Sequence, residues 1–227
     1  MTTKNDICVV IAAYNEAAMI ARVVNEVRRA DYRVVVVDDG SQDATAQVAR
    51  AAGATVVQHP FNLGQGAALQ SGIDLALASG AEVIVTFDAD GQHGAADIPR
   101  LAEALAEENA DFVLGSRFLD ASSNIPRLRR LLLKAATVFT RVTTGLRLTD
   151  AHNGLRAMTR RGAGAIRLRQ NRMAHASELL AQIGASGLHY VERPVTIHYS
   201  AYSIAKGQKT SDSVVILLDL FARALYR

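Results

Sequence analysis

The chain is expected to fold as an α/β protein, a mostly parallel sheet with helices on both faces, and three observations lead there. Short runs that are apolar throughout alternate with helical segments in the first half of the sequence. Strands that read as continuously apolar, without alternation, are those buried on both faces of a parallel sheet. The third observation is that polar clusters fall just past the ends of successive runs, which is where ligands sit in open α/β sheets.

In order, Ile7–Ala13 is an apolar strand. Ala17–Ala30 has helical spacing at Ile20, Val23, Val24 and Val27. Arg33–Asp38 is a strand rich in β-branched residues, Asp43–Ala52 a short helix ended by Gly53, and Ala54–Gln58 a strand. Gln65–Ser79 is a helix ended by Gly80, Glu82–Phe87 a strand, Ala95–Glu107 a helix and Asp111–Gly115 a strand. The second half is less regular. Pro126–Leu146 reads as a long basic helix with Leu128, Leu131, Leu132, Ala135, Val138 and Phe139 on its apolar face. Asp150–Met158 is a polar loop running into a strand, Ala176–Ala185 a helix and Leu188–Val195 a strand. Ser213–Tyr226 is an amphipathic C-terminal helix.

Composition excludes several classes. With 227 residues, 49% apolar and 21% charged, the chain has an ordinary globular balance and enough length for a large core. Cys8, the single cysteine, allows no internal disulfide and reads as a small buried thiol. The polar N-terminus shows no signal-peptide pattern, and no apolar stretch is long enough to cross a bilayer, so a cytoplasmic location is expected. Charge is unevenly spread. Residues 1–116 carry 7 Lys/Arg and 16 Asp/Glu, whereas residues 117–173 carry 13 and 2. An acidic half beside a strongly basic segment suits a metal-bearing half next to a surface that receives anions. Nucleic acid is not expected as the anion, because aromatics make up 5% and no basic-aromatic motif occurs.

The candidate residues stand at the strand ends. Asp88-Ala-Asp90 follows the run Glu82–Phe87, and Gln92 adds a further oxygen. Two carboxylates one residue apart are costly without a cation between them, and hard oxygen ligands suit Mg²⁺ or Mn²⁺ with substrate phosphates. Asp38 and Asp39 precede Gly40-Ser41. Asp38 can accept from a nucleobase or ribose, or serve the next helix as a cap, and Asp39 can buttress the loop. Asn62-Leu-Gly-Gln-Gly66 is either a phosphate-facing loop or a close turn. Arg117 ends a strand where its fork suits a phosphate, and Arg127, Arg129, Arg130 and Lys134 follow. Asp150, His152 and Asn153 form a polar cluster. Asp150 or Glu178 can act as general base, although Glu178 also suits a helix N-terminus. No metal-type histidine spacing and no hydrolase nucleophile elbow occur.

Five motifs occur in order: Val9-Val-Ile-Ala-Ala-Tyr-Asn-Glu16, Val37-Asp-Asp-Gly-Ser-x-Asp-x-Thr45, Asn62-x-Gly-x-Gly66, Asp88-Ala-Asp-Gly-Gln-His93 and Gly115-Ser-Arg117. Together they closely resemble glycosyltransferase family 2, in its dolichol-phosphate mannosyltransferase-like branch, over roughly residues 5–200. The resemblance implies a GT-A fold and an inverting transfer of a hexose from a UDP- or GDP-sugar to polyprenyl phosphate or a lipid-linked glycan. It implies that Ala12, Tyr14, Glu16, Asp38, Asp39 and Asp88 line the nucleotide-sugar pocket and that Asp88, Asp90 and Gln92 bind the metal. It implies that Arg117 and Arg130 hold an acceptor phosphate. The chain differs from the branch in three places. Ala13 replaces a proline, Lys134 replaces a serine, and Ile204-Ala-Lys-Gly-Gln-Lys209 replaces a late Arg-x-x-Gly-x-Ser-Lys pattern, with Lys206 a substitute cation.

The expected organisation is a catalytic domain over residues 1–210, with a nucleotide-sugar half 1–116 and an acceptor half 117–210, followed by the helix 211–227. That helix is expected to lie on the inner face of the cell membrane, as a peripheral attachment, or to form a homodimer. The rival expectations are a soluble glycosyltransferase with a hydroxyl acceptor and a non-catalytic nucleotide-binding or membrane module.

Overall fold

The computed structural model describes residues 4–120, 127–151, 153–170 and 174–198. Lys206, His152 and the segment 211–227 lie outside them. The strands are β1 (Ile7–Ala13), β2 (Arg33–Asp38), β3 (Thr55–Gln58), β4 (Val83–Asp88), β5 (Phe112–Ser116), β6 (Arg156–Thr159) and β7 (Tyr190–Pro194). The helices are α1 (Ile20–Arg29), α2 (Thr45–Ala51), α3 (Gln65–Ala78), α4 (Ile98–Glu107), α5 (Arg127–Thr144), α6 (Arg160–Gly164) and α7 (Ala174–Ser186).

The strands form one sheet in the order β3-β2-β1-β4-β6-β5-β7. β1 pairs in parallel with both β2 and β4, with Ala13 opposite Asp38 and Ala12 opposite Asp88. β6 is inserted antiparallel between β4 and β5, and β5 pairs in parallel with β7. The fold is therefore the mostly parallel α/β sheet that the alternating runs predict. The chain after residue 116 contributes β6 and β7 to the same sheet as the strands before it.

Alternate residues of each strand feed two cores. Val9 and Ile11 of β1, Val34 and Val36 of β2 and Val85 and Phe87 of β4 pack under α1 and α4. Val10, Val35, Val37, Ile84, Phe112 and Leu114 pack on the other face with α3, α6 and α7. A strand buried on both faces has no polar side to show, so its sequence carries no alternation. Close approach of α3 to the sheet depends on Gly72, where a Cβ would run into Val10 and meet Val37 at 3.2 Å.

Some helix bounds are shorter than periodicity suggests. α1 begins at Ile20, not Ala17, because Asn15 turns into the left-handed region at φ 53° and the Glu16 carbonyl receives the Met19 and Ile20 amides. α2 begins at Thr45 because the Asp43 carboxylate accepts that residue's N–H at 3.0 Å. The short helix α6, right after β6, is not expected from the periodicity. Its start is capped by Thr159, whose hydroxyl accepts from Gly162 N–H.

Candidate active site

Strand β1 lies where the strand order reverses, with β2 on one side and β4 on the other, and such a switch point opens a crevice beyond the carboxyl ends. A crevice of about 470 Å³ opens there. It is lined from β1 by Ala12, Ala13, Tyr14 and Glu16, from β4 by Asp88, Asp90, Gln92 and His93, and from the start of α3 by Gly64 and Gln65. The opposite wall holds Arg117 after β5, Asn153, Gly154 and Arg156 at the entry to β6, and His175 at the start of α7. Six residue groups far apart in sequence meet because β1, β4 and β5 point their carboxyl ends to this edge and antiparallel β6 enters the sheet from it.

The acidic floor is built on the β4 turn. Asp88 Oδ2 lies 3.0 Å from His93 Nε2, and the His93 ring packs edge-on against Phe87 at 5.6 Å. Burial alone would raise the Asp88 pKa, but the His93 hydrogen bond and the electrostatic pull of His93, Arg156 and His175 outweigh it and hold the carboxyl below its ordinary value. Asp90 goes the other way. Burial, repulsion from Asp88 and the charge of Glu16 raise it, against the pull of the Gln92 amide and His93. Gln92 braces Asp90 here, since its backbone N–H reaches Oδ1 at 3.0 Å and its side-chain amide reaches Oδ2 at 2.7 Å. In this arrangement it presents donors to the carboxylate and not a third oxygen beside it.

Among the described residues, no three Asp, Glu, His or Cys side chains come together as a metal cluster. The residues present still fit a hard divalent ion. Mg²⁺ and Mn²⁺ sites of phosphate-handling enzymes commonly use one or two carboxylates and complete the shell with water and substrate oxygens. Two carboxylates that repel each other, one with a raised pKa, are the observation that a cation would resolve.

Asp39 lines the crevice and also buttresses a loop, one of the roles its sequence position suggests. Its carboxylate is taken up by Leu63 N–H at 2.9 Å, Gly64 N–H at 2.8 Å and His59 Nδ1 at 2.8 Å. Asp39 thus fastens the loop before α3 and leaves little for a nucleotide. Gly64, at φ 96°, allows that loop to turn toward the carboxylate. His59 continues the chain to Ser71 Oγ at 3.0 Å. Asp38 is buried and does not line the crevice. Its Oδ1 accepts from Ser41 N–H at 3.2 Å, while Oδ2 has no hydrogen-bond partner.

The basic wall rests on β7. The Glu192 carboxylate accepts from Thr149 N–H and Asp150 N–H, at 2.8 and 3.2 Å, and so fixes the 149–150 turn. Burial raises the Glu192 pKa, and these amides oppose it. From that turn Asp150 accepts Arg117 Nε at 2.6 Å and Arg117 N–H at 3.2 Å. The pair is buried, with side chains 7% and 1% exposed. Asp150 therefore positions Arg117 at the crevice. Arg130 and Lys134 do not line the crevice and stand exposed on α5. Glu178 also lies off the lining. Its Oε2 accepts the backbone N–H groups of Arg169 and Gln170 at 2.9 and 2.8 Å, which ties down the loop before α7.

Three residues to which the sequence assigns no role complete the site: His93, His175 and Arg156. Arg156 is only 4% exposed, and burial pushes its pKa down to about 10 against the opposing charges of Asp88 and Asp150. An arginine inside the apolar run Leu155-Arg-Ala-Met158 is the signal that could have marked it. Gly154 belongs with them. A Cβ there would meet the Asp88 carboxyl carbon at 2.6 Å. Gly154→Ala is expected to displace Asp88 and weaken metal-dependent nucleotide binding at least tenfold with the fold retained, as read by calorimetry beside circular dichroism.

Comparison with known proteins agrees with this geometry. The pattern of the family described as "Glycosyl transferase family 2" matches residues 8–166. The chain belongs to that family. It is 30% identical over 96% of its length to UDP-N-acetylglucosamine–dolichyl-phosphate N-acetylglucosaminyltransferase of Methanococcus voltae, covering 94% of that protein. It is 33% identical to polyprenol monophosphomannose synthase of Mycolicibacterium smegmatis, over 67% of this chain and 61% of that one. Glucosyl-3-phosphoglycerate synthase from Mycobacterium tuberculosis, solved with Mn²⁺, UDP and glucosyl-3-phosphoglycerate, superposes with a TM-score of 0.66 at 23% identity, over 94% of this chain and 79% of that one. The family 2 chain is a GT-A glycosyltransferase whose relatives include transferases of sugars to dolichyl and polyprenyl phosphates. No helix among the described residues is long and apolar enough to cross a membrane.

Proposed function

We propose that this glycosyltransferase moves a hexose from a UDP- or GDP-sugar to polyprenyl phosphate at the inner surface of the cell membrane, with Mg²⁺ or Mn²⁺ at Asp88 and Asp90. The observation that carries this is the meeting, in one crevice, of the Asp88–Asp90 carboxylates and the Asp150-held guanidinium of Arg117. A divalent cation there would neutralise the donor diphosphate and stabilise charge on the departing nucleoside diphosphate. Asp38, although outside the crevice lining, keeps a buried unpartnered Oδ2, which suits an N–H of the base or a ribose hydroxyl. Arg117 suits the acceptor phosphate, and exposed Arg130 and Lys134 on α5 suit the approach of an anionic lipid.

A phosphate acceptor is already an anion and needs no general base. The two base candidates agree with that, because Glu178 is occupied with loop amides and Asp150 with Arg117. The test is transfer from labelled UDP- and GDP-sugars to undecaprenyl phosphate with Mn²⁺, in wild type and Glu178→Gln. Transfer is expected with the variant within about threefold of wild type. A loss of a hundredfold or more in a folded Glu178→Gln protein, with transfer to a hydroxyl acceptor instead, would show that the acceptor is a hydroxyl.

A further inference from the structure

The entry to β6 carries two hydrogen-bond donors that nothing among the described residues uses. Asn153 is 2% exposed and lines the crevice. Its Oδ1 accepts Leu155 N–H at 2.9 Å, which fixes the orientation of the amide, and its Nδ2 is buried without a partner. Three residues on, Arg156 also lines the crevice at 4% exposure. Among the described residues no hydrogen bond reaches its guanidinium, although the charges of Asp88 and Asp150 act on it. Other arginines of this fold are bound: Arg117 to Asp150, Arg161 to both oxygens of Asp111. A buried amide left unsatisfied is costly and calls for a partner from outside the protein, and the Arg156 guanidinium in the same crevice lining can join it on that partner.

We propose that Asn153 and Arg156 form a phosphate subsite in the wall between Asp88 and Arg117, the two donors closing on oxygens of one phosphoryl group. An amide donor and a guanidinium on one wall suit an anion, beside the Asp88 carboxylate that lies against Gly154. The forked guanidinium favours a tetrahedral oxyanion with two oxygens to offer. Two phosphates could reach this wall, that of the nucleoside diphosphate over Asp88 and that of the lipid acceptor at Arg117. The inference rests on the transferase reading for those sources, not for the anion chemistry itself.

Arg156→Lys keeps the charge and removes the fork, and Asn153→Asp keeps the acceptor for Leu155 N–H and removes the donor. Both are measured by calorimetry with UDP, GDP, uridine, guanosine and inorganic pyrophosphate in Mn²⁺, and by the KM for undecaprenyl phosphate. Melting curves verify that both variants fold. The expected result is a loss of tenfold or more in diphosphate or lipid-phosphate recognition, with nucleoside binding within twofold of wild type. A loss confined to UDP, GDP and pyrophosphate assigns the subsite to the donor, and a loss confined to the lipid assigns it to the acceptor. Unchanged values for every phosphate in both folded variants overturn it, as does a wild-type protein that binds no phosphate or pyrophosphate. Wild-type pyrophosphate binding that needs Arg156, without sugar transfer to any lipid phosphate, would sink the lipid-phosphate acceptor and leave the subsite standing.

Discussion

Asp90→Asn is expected to raise the melting temperature of the metal-free protein and to erase the stabilisation that Mn²⁺ with UDP or GDP gives the wild type, with transfer falling below detection. The two effects have one cause. In the free protein Asp90 is pushed up by burial and by the charge of Asp88 close by. A carboxyl with a raised folded-state pKa keeps its proton to a higher pH than the unfolded chain does. Its contribution to stability is therefore favourable at low pH and is lost as pH rises from the ordinary carboxylate value through the raised one. Above that raised value the ionised Asp90 is a net cost, which asparagine removes. Asp88, held low by His93 and the nearby cations, has the opposite sign and stabilises throughout that range. In the wild type a bound divalent ion would remove the Asp90 cost instead. A ligand at 100 times its dissociation constant stabilises by about 2.7 kcal/mol. For a chain of this size that corresponds to a rise of roughly 5–11 °C. Differential scanning fluorimetry with and without Mn²⁺ and nucleotide reads both halves, and a variant that keeps the full metal-dependent rise would remove Asp90 from the ligand set.

The parts of the site that are legible in the sequence are those whose signal is local. β1, β2 and β4 each end in a polar cluster directly after an apolar run, so Tyr14, Glu16, Asp38, Asp88 and Asp90 can be placed at one edge from the order of residues alone. What the sequence does not show is which clusters serve a ligand and which serve the chain. Asp38 and Asp39 are adjacent and chemically identical, yet Asp39 is consumed by the 63–64 amides and His59, whereas Asp38 keeps an oxygen unpartnered. That outcome depends on the path of a loop 24 residues away in sequence. Glu178 is similar. Its partners are backbone N–H groups eight and nine residues upstream, which have no residue-type signature. Arg156 escapes for a topological reason. β6 is a four-residue strand, and only its insertion between β4 and β5 turns an arginine in a short apolar run into the wall of the crevice. Periodicity reports burial, and strand order has to be known before burial becomes position.

Asp150→Ala is expected to cost about 3–5 kcal/mol, the usual range for removing one partner of a buried ion pair. Its midpoint temperature should fall by roughly 6–20 °C at 2–4 °C per kcal/mol for a chain of this size. The loss should be at the upper end because Asp150 faces two guanidinium groups, that of Arg117 by hydrogen bond and that of Arg156 by charge. The same change should raise the KM for a phosphate acceptor more than that for the nucleotide sugar, because Arg117 loses the carboxylate that aims it. Stability and recognition are separable through the double variant Arg117→Met with Asp150→Leu. Replacing both partners of a buried pair by apolar groups of similar volume is often close to neutral. Here recovery should be only partial, since Arg156 still lacks its second counter-charge. If the double variant melts near wild type and still takes up lipid phosphate normally, the pair is structural and the acceptor lies elsewhere. If it regains part of its stability while acceptor recognition stays lost, then the ion pair holds the acceptor-binding side chain in place, and its net contribution to folding is small beside that role.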